Sequence, residues 1–119
     1  MVQIKHEYLE SIDSTNNEAK RQAEAGAQHG FLVVAEQQSA GRGRRGRAWD
    51  SPEGCGIFMS LLLKPDIEPS KASMLTLVMA LAVRKALMRC GVETMIKWPN
   101  DIVSDGKKMC GILTEMSAQ

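Results

Sequence analysis

The sequence is short of several things, and each shortage removes a class of answer. Aromatic residues are scarce, with two Trp, two Phe and one Tyr in 119 residues. A single-strand nucleic-acid binder interleaves stacking rings with its charges, and five rings are too few for that. Cysteine is scarce and odd in number: Cys55, Cys90 and Cys110 form no Cys-x-x-Cys pair, and neither His6 nor His29 lies near one. That pattern speaks against a disulfide framework or a zinc site and for a reducing compartment, with the thiols as small, partly buried side chains. Net charge is nearly absent at +1, so the chain as a whole is no polycation built for nucleic acid. Long hydrophobic runs are missing too. The longest, Met74 to Val83, ends at Arg84, well short of the roughly 20 residues of a membrane span. The first residues, Met1 to Ser14, carry acids and no continuous apolar stretch, so no signal peptide is expected.

What remains is a chain that is 44% apolar, ordinary for a globular protein, and long enough at 119 residues for one domain. Its charge is unevenly spread. Four of the seven arginines fall in Arg42-Gly43-Arg44-Arg45-Gly46-Arg47, and without those four the +1 becomes −3. A mildly acidic body therefore carries one concentrated positive loop.

The coarse pattern alternates helices and strands. Asp13-Ser14-Thr15-Asn16 offers side-chain oxygens as helix caps ahead of a short helix over residues 17–25. Phe31 to Ala35 reads as a buried strand, Gln38 to Gly56 as a long loop, and Gly56 to Leu63 as a second strand. The main helix is expected over Ser70 to Cys90, with Met74, Leu77, Val78, Leu81, Leu87 and Met88 at helical spacing and its methionines filling the core. Val92 to Trp98 predicts a third strand. Asp101–Val103 and Met109–Glu115 then flank Ser104-Asp105-Gly106-Lys107, a hairpin signal. Gln3 to Ile12 carries no clear pattern. The sum predicts an α/β (α+β) fold, a mixed β-sheet with packed helices.

Three constellations could carry chemistry. Glycines interleaved with arginines let the backbone approach an anion while guanidinium forks grip its oxygens. The same loop also reads as a solvated basic segment or a nucleic-acid contact, and its arginines should repel one another until an anion arrives. Lys97-Trp98-Pro99-Asn100-Asp101 leaves an amide and a carboxylate at a strand end, suited to ribose hydroxyls or hydrated magnesium, or to an Asx-type turn. Lys108 opens an apolar strand and could send its ammonium into a pocket or into solvent. Ser14-Thr15-Asn16 is either a cap or a recognition cluster for a polar ring.

Together the motifs at 13–16, 37–49, 97–101 and 107–115 resemble the catalytic domain of biotin–protein ligases, also called biotin–[acetyl-CoA-carboxylase] ligases. Lipoate–protein ligases, of similar fold, match these motifs less well. The resemblance implies the fold shared with class II aminoacyl-tRNA synthetases and a two-step reaction. Biotin and ATP give biotinyl-5′-AMP and pyrophosphate, and the biotinyl group passes to a lysine on a carrier domain of a carboxylase. It implies that Ser14, Thr15, Asn16 and Gln38 contact biotin. Arg42, Gly43 and Arg44 would form a covering loop, with Arg44 near the activated carboxyl–phosphate junction and Arg45 and Arg47 toward the nucleotide. Trp49 would stack on adenine. Asn100 and Asp101 would sit near the ATP phosphates and magnesium, with Asp101 the metal's carboxylate. Lys108 would face the carboxylate and α-phosphate, and Gly111 and Ile112 would line the biotin pocket.

The expected catalytic residues are therefore Lys108 and Arg44, the cofactors ATP and Mg2+, and the setting cytoplasmic. No nucleic-acid or membrane partner is expected, and a homodimer is compatible with the resemblance. The resemblance implies that residues 1–119 are the N-terminal portion of that catalytic domain, and neither an N-terminal DNA-binding domain nor a C-terminal SH3-like domain is expected among them. A binding-only truncated fragment is the competing expectation.

Overall fold

The computed structural model describes residues 3–117. The chain divides into two compact units, Met1–Asp66 and Ile67–Gln119.

In the first unit, strand β1 (His6–Ile12) leads into helix α1 (Thr15–Glu24) and strand β2 (Leu32–Gln38). β1 and β2 are parallel, which requires a crossover, and α1 supplies it. Strand β3 (Phe58–Leu61) returns antiparallel to β2, so the sheet order is β1-β2-β3. Val33 and Ala35 of β2 and Ala19 of α1 are buried, and Ser60 of β3, paired with Val33, lies in the same buried layer. Alternation sends the neighbouring residues to the opposite face, where Tyr8, Met59 and Leu61 are exposed.

Helix α1 starts at Thr15, two residues ahead of the expected 17–25, because Ser14 and not a later residue supplies the cap. Ser14 takes extended backbone angles and its Oγ accepts from Asn17 N at 2.9 Å. Asp13, one residue earlier, accepts from Ser14 N at 2.7 Å, from Asn17 Nδ2 at 2.9 Å and from Arg21 Nη2 at 2.7 Å. Those hydrogen bonds, Arg21's first and Asn17's next, hold the Asp13 carboxyl well below the usual carboxylate range. On the next turn Gln22 Nε2 donates to Glu18 Oε2 at 3.0 Å and to Glu7 Oε2 of β1 at 3.3 Å, bringing two carboxyls together. The hydrogen bond with Glu18, then burial, then the Glu18 charge push Glu7 up.

In the second unit, helix α2 (Ser73–Arg89) is followed by strands β4 (Met95–Lys97), β5 (Asp101–Ser104) and β6 (Lys107–Gly111). These form an antiparallel sheet in the order β4-β5-β6. Asp105 and Gly106 both have positive φ, as the expected two-residue hairpin turn requires. The core of this unit centres on Ala80 of α2 and Ile102 of β5, both fully buried.

Several expectations are corrected. Gln3 to Ile12, patternless in sequence, contains β1, an edge strand. Met74, Val78, Leu81 and Met88 face outward from α2, so these methionines do not fill a core. The helix is apolar nearly all round, and periodicity alone could not choose its inner face. Cys55 and Cys90 are exposed instead of partly buried, and only Cys110 is intermediate. The α/β (α+β) class itself is as expected, its strands among the described residues lying in one mixed and one antiparallel sheet. Among the described residues no helix is long and apolar enough to cross a membrane.

Candidate functional site

The recognition cluster expected at Ser14–Asn16 is built by three elements of the first unit. Thr15, the first residue of α1, donates its backbone N–H to Gln38 Oε1 at the end of β2, at 2.7 Å. Its hydroxyl lies 3.1 Å from the same oxygen and 2.7 Å from Ser60 Oγ on β3. Ser60 in turn donates to Asn16 Oδ1. On the far side Gln38 Nε2 donates to Ser51 Oγ at 3.0 Å, and Ser51 donates to the Trp49 carbonyl at 3.2 Å. Ser14, Thr15, Ser51 and Ser60 are all buried, so the chain of hydroxyls and amides is held away from bulk water. Ser51 and Ser60 join the cluster although no motif in the sequence marks them. The signal for Ser60 was a lone hydroxyl inside the apolar run Phe58 to Leu63.

The arginine–glycine segment forms a tight turn. It folds back on itself, with a bridge between Arg42 and Ala48 and another between Gln38 and Ser51. Trp49 N donates to Gly41 O and Gly43 N to Arg47 O, both at 2.7 Å, around a short 3₁₀ turn at Arg44–Gly46. Arg42 reaches across to the helix cap, its Nη1 3.3 Å from Ser14 Oγ. Arg44, Arg45 and Arg47 are exposed on the turn, while Trp49 is half-buried beside Gly43. Gly41 is buried, and the space where a side chain would begin is taken up by Ser51, Trp49 and Gln38.

The second unit holds the other expected residues. Asn100 is 6% exposed and exchanges two hydrogen bonds with Ile112: Nδ2 donates to Ile112 O at 2.8 Å, and Ile112 N donates to Asn100 O at 3.0 Å. Its Oδ1 is buried without a hydrogen-bond partner. Lys108 Nζ lies 3.0 Å from Asp101 Oδ1. The two opposite charges attract across that distance. Lys108 is nonetheless exposed, as a lysine at a hairpin is expected to be, and Asp101 is the more enclosed partner.

The sheet explains why Lys108 meets Asp101. The pairing runs Asp101 with Gly111, Ile102 with Cys110, then Val103 with Lys108, so Met109 is an extra residue in a bulge. In a ladder continued regularly from Ile102 and Cys110, Lys108 would instead fall opposite Ser104 and point to the other face. Nearby, burial pushes the Cys110 thiol up, which makes it a poor nucleophile. Among the described residues no three His, Cys, Asp or Glu side chains gather as a metal site.

Comparison with known proteins follows the same outline. The sequence matches the biotin/lipoate A/B protein ligase family over residues 8–119. It is 51% identical over 113 residues to the bifunctional ligase/repressor BirA of Bacillus spizizenii, covering 94% of this chain and 35% of that protein. It is 44% identical over 112 residues to the biotin–[acetyl-CoA-carboxylase] ligase of Paracoccus denitrificans, covering 92% of this chain and 46% of that one. In structure it resembles the Aquifex aeolicus biotin protein ligase in complex with biotin and ATP. There the TM-score is 0.82 at 38% identity, over 95% of this chain and 47% of that one. The Leishmania major biotin protein ligase in complex with biotinyl-5-AMP gives a TM-score of 0.82 at 30% identity, over 98% of this chain and 53% of that one. This chain thus spans about a third to a half of the length of these four relatives. With the match running from β1 to the last residue and carrying every motif described above, the chain belongs to the biotin/lipoate A/B protein ligase family.

Proposed function

We propose that the chain carries the biotin-activating residues of a biotin–protein ligase, which joins biotin to ATP as biotinyl-5′-AMP and passes it to a carrier lysine of a carboxylase. The carrying observation is the likeness, along 95% of the chain, to a ligase holding both biotin and ATP. The polar cluster of α1, β2 and β3 suits the ureido ring, and the Lys108–Asp101 pair suits the reacting end. A carboxylate attacking the α-phosphate brings two anions together, and a cation between them lowers that barrier. Asp101 lies 3.0 Å from the Lys108 ammonium, and an ammonium has three donors to share among oxygens. Arg44, Arg45 and Arg47 on the exposed turn would neutralise phosphate oxygens, with Arg44 at the carboxyl–phosphate junction and Trp49 against adenine. Closing that turn over the anhydride would exclude water. Asn100, with its buried unpartnered oxygen, would meet a donor of the nucleotide, and Gly111 and Ile112 would line the biotin pocket.

Magnesium would enter with the ATP phosphates as part of the substrate. Asp101, a single carboxylate already facing an ammonium, would serve as one ligand beside phosphate and water oxygens. The cytoplasm, where ATP and free thiols coexist, suits such a reaction and the three free cysteines.

The test is biotin-dependent exchange of pyrophosphate into ATP. The wild-type protein should exchange, and Lys108→Ala should lose at least a hundredfold of that rate, about 3 kcal/mol of transition-state stabilisation. Biotin binding without exchange would mark a binding-only fragment. Neither binding nor exchange would overturn the proposal.

A further inference from the structure

The structure assigns Ser60 a role that no comparison names: we infer that it is the positioning residue that turns the Thr15 hydroxyl proton inward, so that the cluster offers biotin an acceptor at Thr15. The inference rests on the biotin-ligase reading and specifies how the ureido ring is told from its look-alikes.

The argument is a count of protons. A backbone N–H can only donate, so the Thr15 N–H fixes Gln38 with Oε1 toward α1. Ser51 spends its one proton on the Trp49 carbonyl and therefore accepts from Gln38 Nε2, which fixes the same orientation from the other end. With the Asn16 amide turned so that Oδ1 faces it, Ser60 donates its own proton there, because an amide oxygen can only accept. In the contact with Thr15 at 2.7 Å, Ser60 must then be the acceptor, and Thr15 the donor. Among the described residues the other claim on the Thr15 proton is Gln38 Oε1 at 3.1 Å, an oxygen already served by the Thr15 N–H. Both claims pull that proton into the protein, and the shorter one comes from Ser60. A ligand therefore meets the Thr15 oxygen by its lone pairs.

Ser14 is set the opposite way. Its Oγ accepts from Asn17 N at 2.9 Å and from Arg42 Nη1 at 3.3 Å, so its own proton is left to donate. A donor at Ser14 next to an acceptor at Thr15 is the complement of a cyclic urea, which carries a carbonyl oxygen beside an N–H. In a buried site a ligand that sets an oxygen against the Thr15 oxygen leaves both unpaired, and such mismatches discriminate more strongly than shape does.

The experiment compares biotin with the two cyclic carbamate analogues in which one or the other ureido N–H is replaced by oxygen, by calorimetric titration of the wild-type protein. Wild type should prefer biotin to at least one carbamate by tenfold or more. In Ser60→Ala the Thr15 proton keeps only its longer tether and can turn outward to meet the carbamate oxygen. The preference should then fall by about fivefold, the worth of roughly one hydrogen bond. Ser60→Thr, which restores the hydroxyl, should recover it. Ser60→Cys, close in size with a weak donor and acceptor, should reproduce the alanine result and serves if the alanine variant is too unstable to titrate. An unchanged preference in Ser60→Ala or Ser60→Cys overturns the role of Ser60, even if affinity for all three ligands drops together. A wild-type protein that binds no biotin overturns the underlying reading instead.

Discussion

Gly41→Ala should damage the fold as well as the site, and the structure sets the size of the effect. A Cβ built on Gly41 would lie 2.7 Å from Ser51 Oγ, 2.7 Å from the Trp49 carbonyl oxygen and 2.9 Å from Gln38 Nε2. One of these neighbours is backbone, and the other two hydrogen-bond each other at 3.0 Å. None can retreat without opening either that bond or the 2.7 Å bond from Trp49 N to Gly41 O. Overpacking of this kind costs about 1–3 kcal/mol, and a lost buried hydrogen bond adds about 1. The sum, about 2–4 kcal/mol, is a large part of the 5–15 kcal/mol typical of a folded domain. At roughly 4 °C per kcal/mol the melting midpoint should fall by about 8–16 °C.

Gly43→Ala is the internal control. Its nearest neighbour to a Cβ is the Arg47 carbonyl oxygen at 3.7 Å, and its φ of −102° suits any residue. It should melt within about 2 °C of wild type. Thermal unfolding followed by circular dichroism reads both variants side by side. A Gly41→Ala midpoint as close to wild type as that of Gly43→Ala would refute the packing argument. Biotin titration should show a matching loss for Gly41→Ala, because the displaced groups include Gln38.

Two further predictions concern pH. The Asp13 carboxyl is held below its ordinary range, so its stabilising effect is complete above that range and is lost as pH falls through its lowered value. Asp13→Asn should be less stable than wild type at neutral pH, with the gap closing toward pH 2 in denaturant titrations. Glu7 has the opposite sign: its raised value favours the folded protein at low pH, and that help is lost as pH rises through it. Glu7→Gln should therefore gain stability over wild type at neutral pH and lose that gain in acid. A Glu7→Gln protein less stable than wild type at pH 7 would mean the Glu7–Glu18 contact is not repulsive there.

What could be read in advance depended on whether the signal was local. The cap of α1 and the Asp105-Gly106 turn were legible because each depends on a few adjacent residues with unusual chemistry. Strand β1 was not, because His6–Ile12 lies at a sheet edge with an irregular burial pattern. The site divided the same way. Ser14, Thr15, Asn16, Gln38 and Arg42 were named from the sequence, and the fold brings these residues of one unit together by hydrogen bonds. Ser60 was missed because its importance comes from pairing with Val33 beneath α1, 45 residues from Thr15. The Lys108–Asp101 pair depends on one extra residue, Met109, whose effect on facing appears only once the ladder is drawn.

The Ser14 hydroxyl has a double occupation. It closes the first turn of α1 through Asn17 N, and in the proposed complex it faces the ligand with the same oxygen. Folding of that turn and capture of biotin are then linked equilibria. The factor by which biotin slows fraying of the turn must equal the factor by which fraying weakens biotin. The exchange rate of a single amide, Asn17 N–H, becomes a binding isotherm read from the backbone.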